Sequence, residues 1–275
     1  MITKLLPTYD PTLFQGAIPY YVDYRPRYPQ AVYQLIQESF QLNGIGRLLD
    51  LGCGIGLIAL ALIDQFEDII GIDPDPEMLK IAIQESEQQQ IQKITWQKGL
   101  AEEISDDLGS FRLVTIGRAF HWMDKPTVLQ RSYERLASSS QDNLGKSGIA
   151  IIQTEKDIWS NDSEWAQSVL DVIKKWLGEL RRVGNTTVPL LYESDLEVLE
   201  ASPYQQIEKH TIDFKKQWTV DDFIGYLYST AYCRRDYVSD VPAFEADVRA
   251  ALLAVEPSGT FVEDIPITVY LGFKE

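Results

Sequence analysis

The most specific chemistry in this 275-residue sequence lies in one short stretch: Asp50, Gly52, Gly54, Gly56 and, 21 positions beyond Gly52, Asp73. Leu48, Leu49 and Leu51 flank Asp50 and read as the end of a buried parallel strand. The three glycines stand at alternate positions and release the backbone for a sharp turn. Ile58 to Phe66 then supplies a helix whose first N–H groups are free to face a ligand. Ile69, Ile70 and Ile72 predict a second buried strand ending at Asp73, where a nucleotide-type fold hydrogen-bonds a ribose diol. Dinucleotide loops read G-x-G-x-x-G, whereas position 57 here is Leu. Asp50, two residues before the first glycine, would repel a pyrophosphate but suits an ammonium group. The pattern points to a nucleoside with an amino-acid tail, and Cys53 and Pro74 lie in the same two turns.

A second centre follows the predicted fourth strand, Phe111 to Gly117, in the run Arg118, Ala119, Phe120, His121 and Trp122. Open α/β sheets keep ligands at the carboxyl ends of their strands, so this run is expected to face cofactor and substrate together. His121 is the candidate catalytic base for a hydroxyl or protonated amine, or else fixes the loop and orients Trp122. Phe14, Tyr20 and Tyr24 from a Tyr- and Pro-rich arm, Trp122, and Tyr226, Tyr228 and Tyr232 are expected to close a substrate pocket. For each late tyrosine, core packing is the competing role. Arg234 and Arg235 either hold an acidic substrate or cap a helix, and Glu155 and Asp157 are further polar candidates.

The run LDLGCGIG closely resembles the first motif of class I S-adenosylmethionine-dependent methyltransferases. YVDYRPRYP, residues 21–29, resembles the tyrosine, arginine and proline signature ahead of that motif in small-molecule methyltransferases. FHW followed by Met123 and Asp124 resembles the group near the enzymes that esterify trans-aconitate and those acting on natural products. The resemblance covers about residues 20–155 well and implies S-adenosyl-L-methionine as cofactor and S-adenosyl-L-homocysteine as product. It places Tyr24 and Arg25 at the methionine end, Asp73 on the ribose, and Ala101 and Glu102 in the adenine loop. Met78 either packs on the adenine face or joins the core. The implied reaction is in-line methyl transfer to an oxygen or nitrogen of a small molecule, which requires neither a metal nor a covalent nucleophile. The alternatives are a non-catalytic S-adenosylmethionine-binding regulator or scaffold and, further off, a nicotinamide-dependent oxidoreductase.

The elements that must position these groups predict an α/β fold: a Rossmann-like, seven-stranded, mostly parallel sheet with the seventh strand antiparallel, flanked by helices. Residues 1–29 read as a lid arm with short helices near Tyr9 to Phe14 and Ala17 to Tyr24, and residues 30–157 as the cofactor-binding core. A helical cap is expected over 158–208, where Ser163 to Arg182 is amphipathic and Leu190 to Leu199 forms a shorter helix. Residues 209–275 return to the sheet through a strand at His210 to Thr219, an aromatic-rich helix at Asp221 to Ala231, and an edge or antiparallel strand at Ile265 to Phe273. Lys174, Lys175, Arg181 and Arg182 read as a solvated helix face. With 25 Lys+Arg against 41 Asp+Glu, the net charge of −16 disfavours nucleic acid or an anionic membrane as partner and leaves a small molecule. Two distant cysteines and two histidines argue against a disulfide framework or a zinc site. MITKLLPTYD lacks the features of a signal peptide, so a cytoplasmic location is expected.

Overall fold

The computed structural model describes residues 10, 13–138, 145–154, 157–183, 186–187 and 194–274. Tyr9 and Glu155, named above, lie outside the described residues, as does most of the polar loop between Ala137 and Ser147. The chain runs α1 (Ile18–Tyr24), α2 (Gln30–Ser39), β1 (Arg47–Leu51), α3 (Leu57–Ala61), β2 (Asp68–Asp73), α4 (Pro76–Gln88), β3 (Ile94–Lys98), β4 (Leu113–Gly117), α5 (Lys125–Arg135) and β5 (Ser147–Thr154). It continues through α6 (Glu164–Leu177), β6 (Arg182–Val183), β7 (Thr186–Thr187), α7 (Asp195–Glu200), β8 (Gln205–Ile212), β9 (Lys215–Thr219), α8 (Val220–Tyr228), α9 (Val241–Val255), β10 (Thr260–Asp264) and β11 (Ile267–Lys274).

Among the described residues the main sheet has seven strands in the order β3-β2-β1-β4-β5-β11-β8. β1, β2, β3, β4 and β5 pair in parallel, and β11 runs antiparallel to both its neighbours. The fold is therefore the Rossmann-like sheet the sequence predicts. Strand order reverses where β1 lies beside β4, and the crevice at such a reversal is where an open α/β sheet binds its ligand. Both central strands are apolar on both faces: Leu48, Leu49 and Leu51 of β1 and Leu113, Val114 and Ile116 of β4 are buried.

Several boundaries differ from the sequence expectation. The first helix breaks after Ala61, and Ile63–Gln65 continues as a 3-10 turn. Phe111 pairs with Leu136 as an isolated bridge, so β4 begins at Leu113. The expected strand His210 to Thr219 divides because its two halves have different partners: β8 joins β11 in the main sheet, and β9 pairs with β10 in a separate hairpin. β11 is antiparallel as predicted, but β8 outside it takes the edge. α6 stops at Leu177 before Gly178, which leaves Arg181 beyond the helix.

α9 and β10 stand where the sequence pattern predicts no element. Asp240 caps α9 by accepting from the Ala243 N–H at 3.1 Å, with proline in the first turn. One apolar cluster joins α6, α8, α9 and the β9–β10 hairpin through Trp165, Val169, Trp218, Phe223, Phe244 and Phe261. The layer over the carboxyl ends of the strands thus draws on two stretches of chain, before and after β8. The arm docks against it: a Cβ on Gly225 of α8 would sit 2.5 Å from the Tyr24 ring. Gly225→Ala is accordingly expected to loosen the arm despite alanine's better helix propensity. Hydrogen exchange would show faster exchange over residues 13–29 with the main-sheet strands unchanged.

Candidate active site

Asp73 ends β2 with 8% of its surface exposed, and its two oxygens hold two separate turns. Oδ2 accepts from the Gly54 N–H at 2.7 Å, and Oδ1 accepts from the Asp75 N–H at 2.9 Å. Asp75 in turn caps α4 by accepting from the Glu77 N–H at 2.9 Å. A carboxylate has about four lone-pair sites, so Asp73 retains capacity for hydroxyl donors after both backbone bonds. Burial pushes its carboxyl up to about 6, against the lowering effect of those two bonds. Asp75 is not among the site residues expected from the sequence, although Asp-Pro-Glu opening a helix is a readable cap signal.

Asp50 is buried between the glycine turn and β4, and its Oδ1 accepts from the Thr115 hydroxyl at 2.7 Å. Its Oδ2 has no hydrogen-bond partner among the described residues. Burial raises this carboxyl to about 7; the Thr115 bond opposes the shift and the nearby Asp73 charge adds to it. Gly52 and Gly54 have φ of +62° and +55°, conformations that favour glycine. A Cβ on Gly52 would lie 2.5 Å from the Ala119 Cβ, whereas one on Gly54 would meet nothing within 4 Å. The turn therefore presses on the β4 tip at Gly52 and stands open at Gly54. Cys53 ties it to β2 by donating its N–H to the Ile72 carbonyl at 3.1 Å.

The other predicted groups separate. Pro74 is half-buried beside Asp73, and Met78 and Ala101 are buried. Glu102 accepts the Asp124 N–H at 2.7 Å, anchoring its loop to the start of α5. Ala119 faces the glycine turn, but Phe120 enters the core under the sheet tip. Arg118 turns to the arm, donating to the Pro26 carbonyl at 2.9 Å and lying 4.6 Å over the Tyr28 ring. Arg25 donates to the Ser229 carbonyl at 3.2 Å and lies between the Tyr21 and Tyr226 rings, while its Nε has no partner among the described residues.

Phe14 and Trp122 pack with Leu13 and Ala231, closing arm, β4 tip and cap on one another. Tyr226 packs at a tilt against Trp218 and helps line a shallow cleft with Arg25 and Arg118. Tyr20 and Tyr228 meet edge to face at 5.3 Å, and Tyr228 hydrogen-bonds Glu245 in the cap core, away from the glycine turn. Tyr232 lies on the other side, beneath the Arg181 guanidinium at 5.5 Å. Arg234 is held by Asp236 and Arg235 is exposed. Arg181, read from sequence as solvated, is 14% exposed and pairs with Asp157 at 2.9 Å. No local signal reveals that, because its burial depends on where α6 ends.

His121 lies 4.6 Å from the Trp122 ring centre to centre. Desolvation pushes its imidazole down to about 3; the charges of Arg181, Lys125 and Arg25 add to the shift, and a hydrogen bond with the Gln153 side chain opposes it. Such a ring stays neutral at physiological pH and is a weak base. The arrangement favours the orienting role over proton abstraction.

Residues 48–139, which hold every turn just described from Asp50 to the β4 tip, match the family model for a methyltransferase domain. Over that stretch the chain is similar to methyltransferase domains, in line with the resemblance carried by its glycine motif. It is 22% identical to a protein of Dictyostelium discoideum named as a methyltransferase, over 93% of this chain and 92% of that one. It is also 24% identical to an uncharacterised methyltransferase of Mycobacterium bovis, over 80% and 77% of the two chains. The crystal structure of the YcgJ protein from Bacillus subtilis superposes with a TM-score of 0.56 at 16% identity, covering 90% of this chain and 99% of that one, a likeness of fold alone.

S-adenosylmethionine is the methyl donor this domain implies, and the residues present fit it. Gly54 stands open on its Cβ side and is bonded to Asp73, which keeps spare lone pairs, and Asp50 in the same turn holds a buried carboxylate oxygen with no partner among the described residues. That donor set suits an ammonium and a ribose diol. A pH dependence follows. Burial raises both carboxyls in the free protein, and a cationic ligand beside them favours their ionised forms. Binding therefore releases protons below about pH 7, and affinity for S-adenosylhomocysteine should rise between about pH 5 and pH 8, then level. Calorimetry across that range should show Asp50→Asn flattening the upper part of the rise.

Proposed function

We propose that this protein transfers a methyl group from S-adenosyl-L-methionine to an oxygen or nitrogen of a small molecule. One observation carries the reading: the β4 tip with His121 and Trp122 is walled by both arm and cap, through the packing of Phe14 and Leu13 with Trp122 and Ala231. Walls from both arm and cap beside the β4 tip favour a small acceptor over a bulky polymer. The net charge of −16 further disfavours polyanions. Among the described residues no helix is long and apolar enough to cross a membrane.

Bound in this site, S-adenosylmethionine supplies a methyl group on a positively charged sulfur that is already a good leaving group. The chain's own work is then positional and electrostatic. Asp73 and Asp50 take the ribose and ammonium ends, Glu102 fixes the loop beside the base, and the spare Nε of Arg25 offers a donor to the methionine carboxylate. His121, held by Gln153 and against Trp122, orients the acceptor side of the mouth.

Calorimetric titration with S-adenosylhomocysteine, beside NADH, tests the cofactor assignment. Binding of the thioether alone is expected; binding of NADH alone would overturn the reading. Turnover is then assayed on hydroxyl, amine and carboxylate acceptors. His121→Gln should keep kcat within about tenfold and leave its pH profile unchanged, whereas a loss on the order of 100-fold or more would restore the general-base role.

A further inference from the structure

Glu263 on β10 offers more acceptor capacity than its one bond uses. It is 8% exposed, and its Oε2 accepts from the Trp218 Nε1–H at 2.8 Å. Its Oε1 has no hydrogen-bond partner among the described residues. Holding the indole takes one neutral acceptor, which a glutamine supplies without the cost of desolvating a charge. Glu263 also lines the shallow cleft described above, with Arg25 and Tyr28 of the arm, Arg118 after β4, Thr154 at the end of β5 and Tyr226 of α8.

This cleft lies at the carboxyl ends of β4 and β5, while the glycine turn follows β1 on the other side of β4. Arg118 adjoins Ala119, which faces that turn, and the Arg25 charge acts on both Tyr226 and His121. The cleft and the β4 tip therefore share a wall. The space in the cleft is about 30 Å³, room for the polar end of a ligand and not for a ring. The Arg25 and Arg118 guanidinium groups are bonded to backbone carbonyls and leave the cleft wall positive. Arg27 on the same wall is exposed, Lys216 is the cross-strand partner of Glu263, and the Asp157 charge acts on Glu263. Desolvation pushes the Glu263 carboxyl up to about 7; the Trp218 bond opposes the shift and Asp157 adds to it. A base in that range is ionised near neutral pH and still holds a proton well, whereas the His121 imidazole lies far below it.

We propose that Glu263 is the general base of the methyl transfer and that the acceptor is a neutral phenol-type hydroxyl compound, its O–H directed to the Glu263 carboxylate in this cleft. The proposal rests on the methyl-transfer reading above and names its substrate class. The acceptor O–H bond breaks and its proton passes to Glu263, which becomes the neutral acid. The electron pair left on oxygen forms the new bond to the methyl carbon, the sulfur keeps the pair of the bond that breaks, and Glu263 then loses the proton to solvent. The positive wall stabilises the charge developing on oxygen. A carboxylate acceptor has no proton to give and meets Glu263 as a like charge, and an ammonium meets two guanidinium groups. A phenol, with an ordinary pKa of about 10, is within reach of this base. The Tyr28 and Tyr226 rings beside the cleft suit its flat skeleton.

Calorimetry on the full chain tests this. S-adenosylhomocysteine is titrated first; if it fails to bind, the underlying reading falls on its own. Phenol, anisole and benzoate are then titrated at several pH values into protein kept saturated. Phenol should bind about tenfold more tightly than anisole at pH 8, through a hydrogen bond to an ionised acceptor. Its affinity should rise through about pH 7 in the parent and stay flat in Glu263→Gln, which keeps an acceptor for Trp218. The variant's affinity for S-adenosylhomocysteine should lie within about twofold of the parent's, because Glu263 touches no part of the donor floor. With S-adenosylmethionine, phenol methylation should fall on the order of 100-fold or more in Glu263→Gln. Equal binding of phenol and anisole, no phenol binding at millimolar concentration, a pH rise that survives in Glu263→Gln, or methylation of benzoate in place of phenol would each overturn the assignment.

Discussion

The site depends on one buried carboxylate that holds two backbone turns. Asp73 accepts from the Gly54 N–H of the glycine turn and from the Asp75 N–H ahead of α4, so β1, β2 and α4 are tied at a single point. Gly52 then seats against Ala119 at the tip of β4, which brings the third central element into the same crevice. Removing Asp73 from solvent raises its proton affinity, and the two amide bonds oppose that shift. The two bonds that shape the turn leave the carboxylate further lone-pair capacity, which is what the proposed ribose contact requires.

Around this anionic floor the cap and arm build an opposite environment. Asp50 and Asp73 lie below; Arg25, Lys125 and Arg181 act on His121 above. This separation suits a cationic donor on the floor and an electron-rich acceptor at the mouth, and it arises within a strongly acidic chain. The enclosing layer comes from two sequence segments that share one apolar core, so the wall that carries Tyr232 and Arg181 is set by packing of α6 on α9.

Much of the floor was legible because its signals are local. A run of leucines, alternate glycines, an apolar helix and an isoleucine-rich strand ending in an acid each constrain their own few residues, and they agree on one topology. The walls were not legible in the same way. Tyr228 and Tyr232 lie four positions apart with the same amphipathic character, yet one bonds Glu245 in the cap core and the other keeps a hydroxyl with no partner among the described residues. Arg181 reads as a solvated helix residue until Gly178 ends α6 and tertiary packing buries it. Arg118 has the right position for the cofactor but reaches Pro26 of the arm, a contact 92 residues distant that no spacing rule encodes. Division of the expected strand at 210–219 likewise follows from partners chosen across the chain.

The central claim is that the Asp73 carboxylate both shapes the glycine turn and receives the donor nucleoside. The most direct measurement is the Kd of S-adenosylhomocysteine for the parent protein and for Asp73→Asn, with circular dichroism confirming that the variant is folded. Asparagine presents a donor where the Gly54 or Asp75 amide requires an acceptor. Affinity should fall by roughly 1–3 kcal/mol, about 5- to 150-fold in Kd. A folded Asp73→Asn protein that binds with the parent's affinity would contradict the account.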